Sequence, residues 1–200
     1  MANEILVHTE DTPICWADPS QYNVGTYPTN TYNRTNNIML KGITAAGGAA
    51  PARQSDRVDL GARRAQGYVV KSSIMFATAP TAGAAIEYYW SSSNSSHPAS
   101  GNTGGSSAGL PYVSGVDGNF LPIGAAEADV NEYKAQLSFV GVLSAAADAN
   151  YAQVGVINSY FSPSERYGQF VVKNGTAVAL HAGGSGMYIA MVPVKDEIAS

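Results

Sequence analysis

The chain has 200 residues, of which 13% are charged, and its eleven Lys and Arg and fifteen Asp and Glu give a formal net charge of −4. This charge content is about half of the usual 25% for a soluble domain. The acidic balance argues against nucleic acid as a partner, because a phosphate-binding face needs clustered positive charge. A single cysteine excludes an intramolecular disulfide, and no Cys/His cluster has the spacing of a metal site.

The sequence has no segment that resembles a membrane span or a secretion signal. Residues 1–8 lack a basic segment followed by a long apolar run. The longest apolar stretches are well short of the roughly 20 residues that a membrane helix needs. We therefore expect no membrane partner.

Residues 1–55 are predicted to form an extended N-terminal arm, followed by a β-sandwich domain over residues 56–200. The tract 21–37 is rich in turn formers and lacks helical periodicity, so it is not expected to fold on its own. The arm nevertheless contains large aromatic side chains that are costly to leave in water. We expect these aromatics to pack on another subunit, and deletion of residues 1–50 to leave a folded sandwich. They are Trp16, Tyr22, Tyr27 and Tyr32.

Beyond residue 67 the apolar residues recur with the period of two that is typical of half-buried strands. A turn at 79–83 is predicted to lead from the first of these strands into a return strand. The side chains expected on the buried faces of this pair are Tyr68, Val70, Ile74, Phe76, Ile86, Tyr88 and Trp90.

The C-terminal third is predicted to form a meander of strands. Asn174-Gly175 between apolar runs indicates a hairpin, because both residues tolerate the positive φ of a type I′ turn. Phe139 is expected in the core, where Phe139→Ala would cost about 3–5 kcal/mol. Residues 125–131 could form one or two helical turns, and residues 91–119 form a long Ser/Gly/Asn loop that we expect to make contacts. About seven strands separated by Gly and Pro predict an all-β fold, an antiparallel β-sandwich or jelly roll.

Candidate catalytic groups do not form a recognisable motif. The three histidines are scattered over the arm, the long loop and a predicted strand, without the spacing of a metal site. Asp56, Asp59 and Glu87 could form a glycosidase carboxylate set only if they shared one cleft. We therefore predict no catalytic, cofactor-binding or metal-binding residue. The histidines are His8, His97 and His181.

Two short segments are predicted to join the elements of the domain. Residues 56–64 are interpreted as a charged hinge in which Arg pairs with Asp, and residues 161–168 as a corner between sheets. An alternative role for both segments is contact with another subunit. The basic residues assigned to that contact are Arg57, Arg63, Arg64 and Arg166.

Several short segments resemble those of small virion proteins of tailed bacteriophages, and this likeness covers roughly residues 53–198. The segments are Ser55–Gly61, Ala79–Gly83 running into Tyr88–Trp90, and Phe161–Gly168 together with Val192–Glu197. The resemblance implies a component of the particle, made in the cytoplasm of the host bacterium, and carries over no catalytic residue.

The first hypothesis is therefore a non-enzymatic capsid decoration (cement) protein that binds and stabilises the head shell. Its expected partners are the major capsid protein or other virion subunits, and it is expected to form a homo-oligomer, with a trimer favoured. A neck or tail subunit with the same fold is one alternative. Another is a carbohydrate-binding β-sandwich module that uses Tyr88, Tyr89 and Trp90 as a sugar platform.

Overall fold

The described part of the chain folds into eleven strands in two sheets. The computed structural model describes residues 12–26, 31–62, 64–96, 117–119, 134–135, 137–183 and 185–194. The strands are β1 (Ile14–Ala17), β2 (Asn36–Asn37), β3 (Ala52–Gln54), β4 (Val58–Asp59), β5 (Tyr68–Ile74), β6 (Ala85–Ser93), β7 (Gly118–Asn119), β8 (Ser138–Ser144), β9 (Gln153–Phe161), β10 (Tyr167–Asn174) and β11 (Tyr188–Pro193).

The two sheets share one hydrophobic core, as expected for a β-sandwich. The first sheet has the order β2-β1-β11-β5-β9, and the second has the order β7-β3-β10-β6-β8 with β4 also paired to β10. Among the described strands, all pairs are antiparallel except β1 with β2. Neither sheet closes into a barrel within these residues. The predicted all-β class is confirmed.

The period-two pattern of β5 and β6 correctly identified their buried faces. The side chains that it assigned to the core are all at most 2% exposed. The pairing of the two strands was wrong, because β5 pairs with β11 and β9 whereas β6 pairs with β10 and β8. The turn at 79–83, where Gly83 has a φ of +84°, therefore carries the chain from one sheet to the other. Residues 162–166 do the same between β9 and β10, which agrees with the predicted corner.

The described part of the predicted arm belongs to the sandwich, and the interface role assigned to its aromatics needs correction. β1 pairs with β11 in one sheet, and β3 pairs with β10 in the other. Trp16 is fully buried and Tyr22 is 5% exposed, while Tyr32 packs at the margin of a small cluster around Tyr188. Tyr27 and residues 1–11, including His8, lie outside the described residues. Trp16 and Tyr22 are thus buried within the chain itself, and Tyr32 is partly buried.

Deletion of residues 1–50 would therefore not leave an intact sandwich. It would remove β2 and β1 from one edge of the first sheet, and with them Trp16 from the hydrophobic core. The boundary at residue 55 also separates β3 from β4, although both strands pair with the same strand β10.

Phe139 was expected in the core, but it is 58% exposed. The register of β8 against β6 explains the difference: Tyr88 pairs with Gly141, and the next pair is Tyr89 with Phe139. Val140 is therefore an extra residue, and such a bulge turns the following side chains to the opposite face. Phe139 faces outwards beside Tyr89, with ring centroids 5.5 Å apart, instead of inwards beside Trp90.

The predicted hairpin at Asn174-Gly175 is also wrong. Asn174 is the last residue of β10, and the chain then leaves the sheet towards an isolated bridge between Leu180 and Phe76. The Asn174 side chain replaces turn hydrogen bonds: its Oδ1 accepts from the Thr176 amide at 2.9 Å, and its Nδ2 donates to the Thr44 and Val178 carbonyls. The hydrogen bonds of the buried Asn174 side chain therefore determine the path of the chain here, although the local sequence favours a tight hairpin turn.

Several sequence predictions fall outside the described residues. These are the helical turns at 125–131 and most of the long loop, from residue 97 to residue 116, including His97. The first residues assigned to that loop, Ser91 to Ser93, are the end of β6.

The reactivity of the Cys15 thiol can test whether residues 12–17 are part of the folded sandwich. Cys15 is fully buried in β1, and burial raises its pKa to about 12, although Tyr22 and Arg34 act in the opposite direction. Because only the thiolate reacts, we expect Cys15 to be inert to an aromatic disulfide reagent at neutral pH. It should react fully once denaturant unfolds the chain. Rapid reaction in the native protein would show that residues 12–17 are a loose arm.

Substitutions of Trp16 and Phe139 should have unequal costs. Trp16→Ala removes a buried side chain and should lower the free energy of unfolding by about 3–5 kcal/mol. Phe139→Ala loses only an exposed aromatic contact, worth at most about 1.5 kcal/mol. Urea unfolding of the two variants against the wild-type chain measures both values. Equal losses would contradict the placement of these two rings.

Candidate functional site

Three of the four arginines predicted at an interface come together around residues 164–167. Arg166 forms a two-pronged ion pair with Asp59, with Nε–Oδ1 and Nη2–Oδ2 distances of 2.7 Å, and its guanidinium lies 5.1 Å from the centre of the Tyr167 ring. Hydrogen bonding from Arg166 holds the pKa of Asp59 below its ordinary value. The pair fastens β4 to the start of β10.

The other two described arginines make contacts to backbone carbonyls at the same end of the second sheet. Arg57 lies 5.8 Å from the Tyr167 ring and donates to the carbonyl of Ser96, while Arg64 donates to the carbonyl of Ser164 at 2.8 Å. Arg63 lies outside the described residues. These contacts connect segments within the chain, so the arginines have a structural role in joining β4 to the corner between the sheets.

The three carboxylates considered for glycosidase chemistry do not share a site. Asp56 accepts hydrogen bonds from the backbone amides of Asn37 and Asp117, at 3.1 and 2.8 Å. Asp59 and Glu87 lie opposite Tyr167 and Lys173, at positions six residues apart on β10, which corresponds to about 20 Å along the strand. Carboxylates that act as a pair on one sugar must be far closer than this.

The environment of Glu87 favours its charged form. Burial raises the pKa of Glu87, but hydrogen bonds from the Tyr89 hydroxyl and the Lys134 ammonium outweigh it, so the pKa lies below its ordinary value. The two donors lie 2.5 and 2.9 Å from Oε2. A general acid needs the opposite shift, a raised pKa. Glu87 is therefore suited to holding an ion pair.

The aromatic platform proposed for sugar binding is wrong. Tyr88 and Trp90 are at most 1% exposed, and Tyr89 is 7% exposed. The Tyr88 hydroxyl donates to Ser72 in the opposite sheet, and the Trp90 ring packs edge-on against Phe170. A sugar could not stack on these rings without opening the core.

Exposed apolar side chains are concentrated on the two strands β8 and β9. We refer to Phe139, Val142, Val154, Val156 and Tyr160 as the β8–β9 surface, and each of them is 44–58% exposed. Tyr151, in the turn before β9, is also exposed. The only other large apolar side chain exposed to this degree in the described part of the chain is Val24.

The two strands meet where the edges of the sheets approach each other. β8 is the outer strand of one sheet and β9 is the outer strand of the other. The Asn158 Nδ2 donates to the Val140 carbonyl at 2.9 Å, and a Cβ at Gly141 would lie 2.3 Å from the Ile157 carbonyl oxygen. Val142 and Val156 flank these contact residues and lie on the outer faces of the two different sheets, opposite Glu87 of β6 and Lys71 of β5.

The strands β8 and β9 themselves contain no charged residue. Between Lys134 and Glu165 the sequence contains one charged residue, Asp148, which lies in the turn between the two strands. Edge strands are usually protected by charged side chains or proline, and neither β8 nor β9 contains either. Sequence reasoning missed this surface because it assigned Phe139 to the core. The charge-free tract was the signal that could have revealed it.

Comparisons with protein-family models, with curated proteins and with solved structures found no match. Within the residues described above, no group of three or more His, Cys, Asp or Glu side chains could hold a metal ion. The same residues include no helix long and apolar enough to cross a membrane.

Glu87 should make the stability of the fold depend on pH. Its lowered pKa means that it stabilises the native state above its ordinary pKa of 4.5, and that this contribution disappears as the pH falls through the folded-state value. Glu87→Gln should therefore be destabilising above pH 4.5 and nearly neutral well below it. Denaturant unfolding at several pH values measures this, with Glu165→Gln as the exposed control. A penalty that stays constant at low pH would contradict the ion pair with Lys134.

Proposed function

We propose that the chain is a non-enzymatic structural protein of a bacteriophage particle, and that it acts as a capsid decoration protein through protein–protein contacts. The observation that carries the proposal is the β8–β9 surface, a set of exposed apolar side chains on two edge strands that contain no charged residue. Monomeric proteins seldom leave such surfaces uncovered, and when they are large they commonly mark sites of protein association. The low overall charge agrees with a protein whose surface is partly covered by neighbours.

The order of the strands supports a jelly roll as the finer description of the fold. The sequence β1-β11-β5-β9 lies opposite β3-β10-β6-β8, so that the first described strand pairs with the last one. Two Greek keys that interlock in this way are typical of jelly rolls, which occur in viral capsid proteins, lectins and cupins. A fold shared by these classes does not define a function. The resemblance of short segments within residues 53–198 to those of phage virion proteins is the reason that the proposal takes the capsid class among them.

The environments of the candidate catalytic groups also support a structural role. Asp59 and Glu87 are engaged in ion pairs that lower their pKa values, and Asp56 accepts two backbone hydrogen bonds. Each carboxylate thus holds segments of the fold together. A neck or tail subunit would use the same surface, and the location of the protein in the particle separates this alternative from decoration.

The location can be tested on purified particles of the phage that encodes this chain. An antibody raised against the full chain should detect it in intact particles, and gold labelling in electron micrographs should distribute over the whole head shell. Labelling confined to the neck or tail would support the alternative. Particles that contain none of the chain, as judged by mass spectrometry, would contradict a virion function.

A further inference from the structure

We infer that the segment between β1 and β2 is a strap, which opens locally and uncovers part of the outer face of the first sheet while the core between the sheets stays closed. In the described part of the chain the strap consists of residues 18–26 and 31–34. This inference goes beyond the proposed function and does not depend on it.

The strap covers an apolar cluster that is separate from the core between the sheets. Trp16 of β1 and Ile189 of β11 belong to that core, whereas the residues that alternate with them form a second cluster together with Tyr22. The rings of Tyr22 and Tyr32 lie edge-on to the ring of Tyr188, with centroids 5.9 and 5.7 Å apart. The covered residues are each at most 2% exposed, and they are Cys15, Ala17, Tyr188 and Ala190.

Backbone hydrogen bonds fix the two ends of the strap next to each other. The Cys15 amide donates to Thr35 Oγ1 at 3.0 Å, and the Thr35 amide donates to the Cys15 carbonyl at 2.9 Å. The Ile38 amide donates to the Ala17 carbonyl at 3.1 Å. These bonds lie at the base of the strap, as does the pairing of β1 with β2. The strap can therefore lift while β1 stays paired with both of its neighbours.

Hydrogen bonds of the strap to itself do not tie it to the sheet. The Asp18 carbonyl accepts from the Tyr22 amide at 3.0 Å, and Asp18 Oδ1 accepts from the amide and the hydroxyl of Ser20, both at 2.8 Å. The Tyr22 hydroxyl donates to the Tyr32 carbonyl at 3.0 Å and joins the two halves of the strap. A single hydrogen-bonded turn does not persist in water on its own. The Tyr22 amide is therefore expected to exchange with solvent once the strap leaves the sheet.

The attachment of the strap to the rest of the fold combines two aromatic contacts with polar contacts at its margin. Lys41 Nζ lies 3.0 Å from Asp18 Oδ2, and the lysine side chain is 26% exposed, so water screens this ion pair. The side chain of Thr31 also bonds that of Tyr188. A segment held by few apolar contacts opens more readily than the whole domain unfolds. The Cys15 thiol is reached only in this minor open form, which agrees with its expected inertness.

The test is hydrogen exchange of backbone amides in the native full chain, measured by NMR over a series of low denaturant concentrations. The Tyr22 amide should exchange through opening of the strap, which exposes little surface, so its rate should depend weakly on denaturant. The central amides of β5 and β10 should exchange at least about tenfold more slowly, and their rates should rise steeply with denaturant because they need global unfolding.

Two substitutions separate local opening from global unfolding. Val172→Ala weakens the core, which is closed whether the strap is open or not. It should accelerate exchange in β5 and β10 at least about tenfold and leave the Tyr22 amide unchanged. Lys41→Met removes the ion pair with Asp18 and should accelerate the Tyr22 amide about two- to fivefold. Lys71→Met is the matched control, since Lys71 lies in β5, which β11 separates from β1, and it should leave that amide unchanged.

A Tyr22 amide that follows β10 in its denaturant dependence, or that Val172→Ala accelerates as much as β10, would overturn the inference. An amide that exchanges as fast as in an unfolded peptide would also overturn it, because the strap would then not be closed. If Val172→Ala does not fold, the denaturant series of the wild-type chain decides the matter. The outcome is independent of whether the chain is found in phage particles.

Discussion

The fold depends on an aromatic cluster that joins the two sheets. Trp16 from β1 packs edge-on against Phe170 of β10 and Trp90 of β6, with ring centroids 5.0 and 6.2 Å apart. Each such contact contributes about 0.5–1.5 kcal/mol beyond the burial of its apolar area. The Trp16 Nε1 also donates to the Asp56 carbonyl at 2.9 Å, so the same ring fixes the segment that leads into β4. The N-terminal part of the chain is thereby required for the core.

Glycines set how closely the strands approach this cluster. A Cβ at Gly168 would lie 2.1 Å from the Trp90 ring, so only glycine leaves room for the indole beneath β10. Gly141 has a similar role at the seam, where β8 meets the backbone of Ile157. These two positions bring the sheets together at the centre and at one edge. The packing around them determines which side chains remain inside.

The same packing explains why apolar groups remain outside. Because β8 has a bulge at Val140, the side chains of Val140 and Leu143 are buried in the core. Those of Phe139 and Val142 are exposed on the outer side of the sheet. On β9, Ile157 and Phe161 are buried, and Val154, Val156 and Tyr160 are exposed. The exposed residues therefore follow from the geometry of two irregular edge strands. These side chains on strands without charged residues are the observation on which the proposed protein contact rests.

The sequence by itself determined the all-β class, the buried faces of β5 and β6 and the corner between β9 and β10, because alternation and turn residues are local properties. It also indicated that Trp16 and Tyr22 must be covered by something. Only the tertiary structure decided that the cover is the chain's own core, because a strand of four residues such as β1 has no recognisable period until β11 pairs with it. The positions of Phe139 and Asn174 depended likewise on a bulge and on buried hydrogen bonds. The exposed position of Phe139 could not be predicted from periodicity, because one extra residue in a strand reverses which side chains face the core.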